Sequence, residues 1–231
     1  MALILSIETS TSVCSASLSA EGMILAHQEC FEGRNHATLL SGYVKHCLDY
    51  AREHEMKPDA IAVSIGPGSY TGLRIGLSEA KGLAYALDIP LIGVDTLQLL
   101  AVSAMFSSEY LPEDALFAPM IDARRMEVFT ALYDMGLTPL MQPQPLILDS
   151  GSYSEWLDKS PVIFMGDGSD KAREVIKGKN AIFLPDVKPV AVDMMPLAEK
   201  AYAERRFLDL AYSVPAYLKE FQATKPKNPL T

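Results

Sequence analysis

Apolar and polar positions alternate with period two near the start of the chain. Residues 3–8 read LILSIE, and in 12–19 the serines at 15, 17 and 19 alternate with Cys14, Ala16 and Leu18. That periodicity predicts strands at 3–8, 12–19 and 22–30, with a tight turn at Gly22 between the second and third. From Asn35 the period changes. Leu40, Val44, Cys47, Leu48 and Ala51 recur at helical spacing, and Leu39, Tyr43, His46 and Tyr50 form a second set on a neighbouring face. This predicts an amphipathic helix over 35–54 with Asn35 as N-cap. A strand at 59–65, a helix at about 71–87, a strand at 90–94 and a helix beginning at Asp95 or Thr96 follow.

The second half repeats the element order. Strands are predicted at 115–121, 126–134 and 140–148, then a short helix at 152–159, a strand at 162–166, a helix at 169–178, a strand at 180–185 and a helix at 195–207. Each half reads βββαβαβα, and the duplication is one of order, not of residues. A βββαβαβ unit used twice is the plan of a duplicated actin-like (ribonuclease H-like, ASKHA) α/β fold with mixed sheets. The expected subdomains are 1–105 and 106–231, with the last helix able to pack back on the first, and 222–231 is expected to be a flexible tail.

Composition narrows the function. The chain has 231 residues and a formal net charge of −9. An acidic surface repels nucleic-acid phosphates, so direct nucleic-acid gripping falls to a partner. No apolar run reaches the length of a membrane span, and the first ten residues read as a strand rather than a leader. Cys14, Cys30 and Cys47 match no zinc spacing and read as reduced, buried thiols. The histidines do not pair on one helical face, so no metal site is expected.

The stretch 66-GPGSYTGLRIG-76 opens the second helix. It lacks the G-K-[ST] of a phosphate-binding P-loop, and its glycines are spaced differently from a dinucleotide fingerprint. Gly72, Gly76, Ala80 and Ala84 recur every four residues, with Leu73 and Leu77 beside them. Glycine costs about 1 kcal/mol relative to alanine in a helix, so such a stripe predicts a close approach by another helix, within the chain or from a partner. The predicted partner interface is Leu39, Tyr43, His46 and Tyr50 with Gly72, Leu73, Gly76, Leu77, Ala80 and Ala84.

The segments 4-ILSIETSTSVCSASL-18, 66-GPGSYTGLRIG-76, 91-LIGVDTLQLLA-101, 121-IDARRMEVFTALYD-134 and 215-PAYLKEFQATK-225 together resemble the TsaB family, also called YeaZ. The resemblance runs in order over nearly the whole chain. It implies a soluble cytoplasmic protein of the machinery that makes N6-threonylcarbamoyladenosine in tRNA. It implies a non-catalytic subunit that binds the transferase TsaD through a helix bundle, recruits the ATPase TsaE, meets tRNA only through the complex, and forms homodimers when alone. TsaD carries an H-x-x-x-H metal pair where this chain has Thr96 and Leu100, which cannot ligate a metal. Strand one ends in Glu8 rather than the usual aspartate of the fold, so Glu8, Ser10 and Thr11 are the weak nucleotide-site candidates. The second phosphate loop reads Ala123-Arg124-Arg125-Met126, too bulky to cradle phosphate with its backbone, and 166-GDGSD-170 is a faint remnant of an adenosine site. No catalytic residue, resident cofactor or metal is expected, with ATP or ADP confined to the complex interface. No nucleophile–base pair supports a peptidase. The alternative is an autonomous actin-like ATPase or kinase with Glu8 in a Mg²⁺ shell.

Overall fold

The computed structural model describes residues 2–33 and 35–219. The expectation for 222–231 lies outside them. Two five-stranded sheets share one plan. The first comprises β1 (Ile4–Glu8), β2 (Cys14–Ala20), β3 (Met23–Cys30), β4 (Ala60–Gly66) and β5 (Leu91–Asp95), in the order β3-β2-β1-β4-β5. The second comprises β6 (Leu116–Asp122), β7 (Glu127–Tyr133), β8 (Pro139–Ile147), β9 (Val162–Met165) and β10 (Ala181–Phe183), in the order β10-β9-β6-β7-β8. In each, the first three strands form an antiparallel meander and the last two add in parallel on the other side. This is the duplicated actin-like fold.

Helices α1 (His36–Glu53) and α2 (Tyr70–Leu87) cover one face of the first sheet. The strand alternation sorts the side chains. Leu5, Ile7, Ala16, Leu18, Ile61 and Val63 meet α1 and α2, while Ile4, Ala60, Ala62, Ile92 and Val94 face the other way. That opposite face is covered by α3 (Thr96–Ser107), a 3₁₀ helix (Ala191–Met194) and α6 (Met195–Ala203). The last helix therefore packs on the first sheet. Helix α3 serves both halves: Leu99 faces the first sheet, and Leu97, Leu100, Ala101 and Ala104 join the core of the second. Its apolar residues surround the helix, as expected of an element buried on both sides. Helices α4 (Ser154–Leu157) and α5 (Ser169–Val175) complete the second half, with Tyr153 and Ala172 in its outer core.

Both sheets have managed edges. Leu208 pairs with Leu91, donating its N–H to the Leu91 carbonyl at 2.8 Å, and so covers the β5 edge. Strand β8 carries prolines at 139, 143 and 145, which blunt the opposite kind of liability on the second sheet. No helix among the described residues is long and apolar enough to cross a membrane.

Candidate functional site

A cleft of about 760 Å³ lies between the halves. One wall is the loop after β1 (Ser10, Thr11, Ser12), the start of α1 (His36, Ala37) and the start of α2 (Gly68, Ser69, Thr71, Gly72). The other wall is Ile121, Asp122 and Asp167.

The first wall is held together by short contacts. Ser69 donates its N–H to the Ser10 carbonyl at 2.6 Å, and the Thr9 hydroxyl donates to the Gly72 carbonyl at 2.8 Å. Ser69 caps α2, its Oγ accepting from the Gly72 N–H at 3.2 Å. A Cβ on Gly72 would sit 2.1 Å from the Thr9 carbonyl oxygen, and one on Gly76 would sit 2.2 Å from the Thr9 Oγ1. At Gly72 and Gly76 the close approach is thus made by the loop after β1, while Ala80 and Ala84 share a core with Leu40, Val44 and Cys47 of α1. Leu73, Leu77, Ala80 and Ala84 are likewise buried inside the chain. These six residues are interior, and a partner arriving at α2 would meet its outer face instead.

The candidates Ser10 and Thr11 line the cleft, and Glu8 does not. Glu8 is fully buried. Alternation puts it beyond Ile4 and Ser6, on the face of the sheet away from α1 and α2. Its Oε1 accepts from both the N–H and the hydroxyl of Ser10 at 2.5 Å, and its other oxygen has no hydrogen-bond partner. Burial pushes the carboxyl up to about 7, against smaller opposing effects of the Ser10 and Ser64 hydroxyls. No lysine or arginine among the described residues pairs with it. Glu8 serves here as the brace of the Ser10 loop.

On the second wall Asp122 pairs with Lys171, which also donates to the carbonyls of Arg125 at 2.8 Å and Glu127 at 2.5 Å. Asp167 accepts from the Asp122 N–H at 2.9 Å. Crowding by protein, and then the Asp122 charge, raise the Asp167 carboxyl above the usual range, although its side chain still reaches water in the cleft. Arg124 and Arg125 have φ of +72° and +50° and form the tight turn between β6 and β7, outside the cleft lining. Gly166 and Gly168 pack against the Met120 backbone, where a Cβ would come within 2.3 and 3.1 Å. The glycines of the GDGSD stretch therefore have a packing role. Thr96 and Leu100 are buried, Leu100 in the core of the second half. Among the described residues no group of three or more metal-ligating side chains converges.

Sequence reasoning missed Asp95. It caps α3 by accepting from the Gln98 N–H at 2.9 Å, and its carboxyl also meets the phenol of Tyr133 on β7. Burial raises it to about 6. Its position as N-cap was legible; its link to the second sheet was not.

A family model described as "TsaD: tRNA N6-adenosine threonylcarbamoyltransferase" matches residues 31–227. The "tRNA threonylcarbamoyladenosine biosynthesis protein TsaB" of Escherichia coli is 30% identical over 96% of each chain. The protein of the same name from Bacillus subtilis is 32% identical over 75% of each. The chain belongs to the TsaB family. A solved structure titled "YeaZ from Pseudomonas aeruginosa" superposes with a TM-score of 0.81 at 29% identity, covering 94% of this chain and all of that one. A match to the transferase model and full-length identity to TsaB relatives are compatible if the two share one fold, and TsaB relatives cover the N-terminal strands that the transferase match omits.

Proposed function

We propose that this chain is a non-catalytic scaffold subunit for threonylcarbamoyl transfer to tRNA, docking a TsaD-type transferase through the outer face of α1 and α2 and recruiting a TsaE-type ATPase. The chain requires no cofactor of its own, and any ATP or ADP sits where the subunits meet. Alone, it self-associates through the same face.

The observation that carries the docking surface is a pair of glycines. Gly42 on α1 and Gly82 on α2 are exposed mid-helix, and a Cβ on either would meet nothing within 4 Å. No contact among the described residues accounts for them, yet each costs about 1 kcal/mol of helix propensity. Leu39, Gly42, Tyr43, His46 and Tyr50 form one stripe of α1; Leu39, Tyr43 and Tyr50 are half-buried at the core margin and His46 is exposed. Ser78, Gly82 and Tyr85 form the corresponding stripe of α2, with Tyr85 80% exposed. Glycines flanked by aromatics suit close approach of a partner helix. The diversion of Glu8 from the cleft to bracing its own loop supports the non-catalytic half of the reading over an ATPase.

The test is Gly82→Phe. Position 82 is exposed and an added Cβ meets nothing within 4 Å, so the variant is expected to keep the wild-type thermal transition, which differential scanning checks. Its association with the TsaD of the same organism, followed by calorimetry and by light scattering after size exclusion, weakens by about 1–3 kcal/mol. Unchanged affinity would remove this face from the interface. Gly76→Phe cannot serve, because it collides with Thr9 and disrupts the chain itself.

A further inference from the structure

Cys14 and Cys30 are directly opposite residues on the antiparallel strands β2 and β3. Opposite residues of such a pair share one face of the sheet, with Cα atoms roughly 4.5–5.5 Å apart, within the span a disulfide bridges. Both thiols are free. The two sulfurs also share a third neighbour. Burial together with both thiols raises the phenol of Tyr43, on α1, above its usual range. The pair therefore lies under α1, with Cys14 in the core beneath that helix and Cys30 at its margin.

The two thiols differ in access and reactivity. Cys14 is buried, and burial with the neighbouring Cys30 pushes it up to about 11, so it is almost wholly protonated near neutral pH. Cys30 is half-exposed at the end of β3, its Sγ donating to the Glu32 carbonyl at 3.7 Å. Cys47 is a different case: it is buried, and its Sγ donates to the Ala26 carbonyl. Burial raises it to about 12.

We propose that Cys14 and Cys30 form a reversible cross-strand disulfide, a thiol-modification site that accepts small-molecule disulfides of the glutathione class. The Cys30 thiolate attacks one sulfur of the oxidised compound RSSR, forming a mixed disulfide and releasing one RS⁻, which takes up the proton Cys30 gave. Cys14, losing its own proton to solvent, then attacks the Cys30 sulfur and expels the second RS⁻, which is protonated in turn. Two thiols of the protein are oxidised and RSSR is reduced to two RSH. The order follows from access: the half-exposed sulfur reacts first and the buried one resolves. The bond locks the β2–β3 edge beneath Tyr43, and excess dithiol reverses it.

The test uses the full chain, reduced and then incubated with oxidised glutathione at pH 8. Of the three thiols in the sequence, two disappear and one remains on titration after unfolding. Peptide mapping without reductant finds Cys14 joined to Cys30, with Cys47 still alkylatable, and dithiothreitol restores all three. Cys14→Ala halts at a stable glutathione adduct on Cys30, and Cys30→Ala leaves Cys14 unmodified. Retention of all three thiols, a terminal adduct on wild-type Cys30 without closure, or a bond to Cys47 would each overturn the proposal. Thiol counting needs no partner protein, so the outcome is independent of the docking surface.

Discussion

At the scale of single residues, two positions show how burial changes a group's meaning. Glu8 has an ordinary value of 4.5 and is held near 7 in the fold. The native state thus binds the proton more tightly than the unfolded chain. Its contribution to stability is complete below about 4.5, declines as pH rises, and is gone above about 7, a swing of roughly 3 kcal/mol. Glu8→Gln is neutral at every pH. Denaturant unfolding of the variant therefore shows a flatter pH dependence between 5 and 8 than the wild type, by about that amount; parallel profiles would mean that Glu8 titrates normally. Gly72 makes the steric point. Its missing Cβ leaves room for the Thr9 carbonyl, and backbone cannot swing aside as a flexible side chain can. Gly72→Ala should lower stability by about 1–3 kcal/mol in urea titrations, despite alanine's better helix propensity.

At the scale of elements, α3 decides how the halves meet. It is buried all round, contributes Leu99 to one core and Leu97 and Leu100 to the other, and its cap Asp95 touches Tyr133 across the junction. Asp95→Ala removes the cap and leaves the Tyr133 phenol without its carboxylate. A loss of about 1–2 kcal/mol is expected in thermal or denaturant unfolding. The β2–β3 hairpin is the other informative element. Ala20 faces Met23 and Ser19 faces Ile24, but a bulge follows, and Leu18 faces Ala26. Without that one-residue shift Cys14 would oppose Glu29; with it, Cys14 opposes Cys30.

At the scale of the whole molecule, the segment after α6 acts as a strap. Leu208 pairs with β5 and its side chain lies over Gly93. Lys81 donates to the carbonyls of Ala211 at 3.1 Å and Ser213 at 3.2 Å. Ala216 donates to the Ile65 carbonyl at 2.7 Å. Tyr217 stacks on Tyr70 and its hydroxyl accepts from Arg74. Lys219 then pairs with Glu127 of the second sheet at 2.6 Å. The strap thus begins on one half and ends on the other. Truncation after Arg206 uncovers the β5 edge and removes these bonds together. It should lower the thermal midpoint by several degrees and promote self-association through the open edge, read by differential scanning and light scattering. An unchanged midpoint would make the strap an ornament of the fold.

Much of this was written locally. Period-two and period-3.6 patterning placed the strands and helices within a few residues, because each element needs one apolar face and the chain supplies it in order. The duplicated βββαβαβ plan and the TsaB family followed from element order and from motifs such as 66-GPGSYTGLRIG-76. Ser10 and Thr11 were legible as cleft residues because they follow the first strand of such a fold. What the sequence could not say is which surface receives a given face. The small residues of α2 demanded a close neighbour, but only the tertiary structure made that neighbour Thr9, and left Gly42 and Gly82 as the open positions. Alternation fixed the side of the sheet on which Glu8 lies; its complete burial, and hence its raised pKa, depends on residues distant in sequence. The strap and the opposition of Cys14 to Cys30 belong to the same class. Local periodicity sets which residues point together, whereas long-range contact and a single bulge decide what they point at.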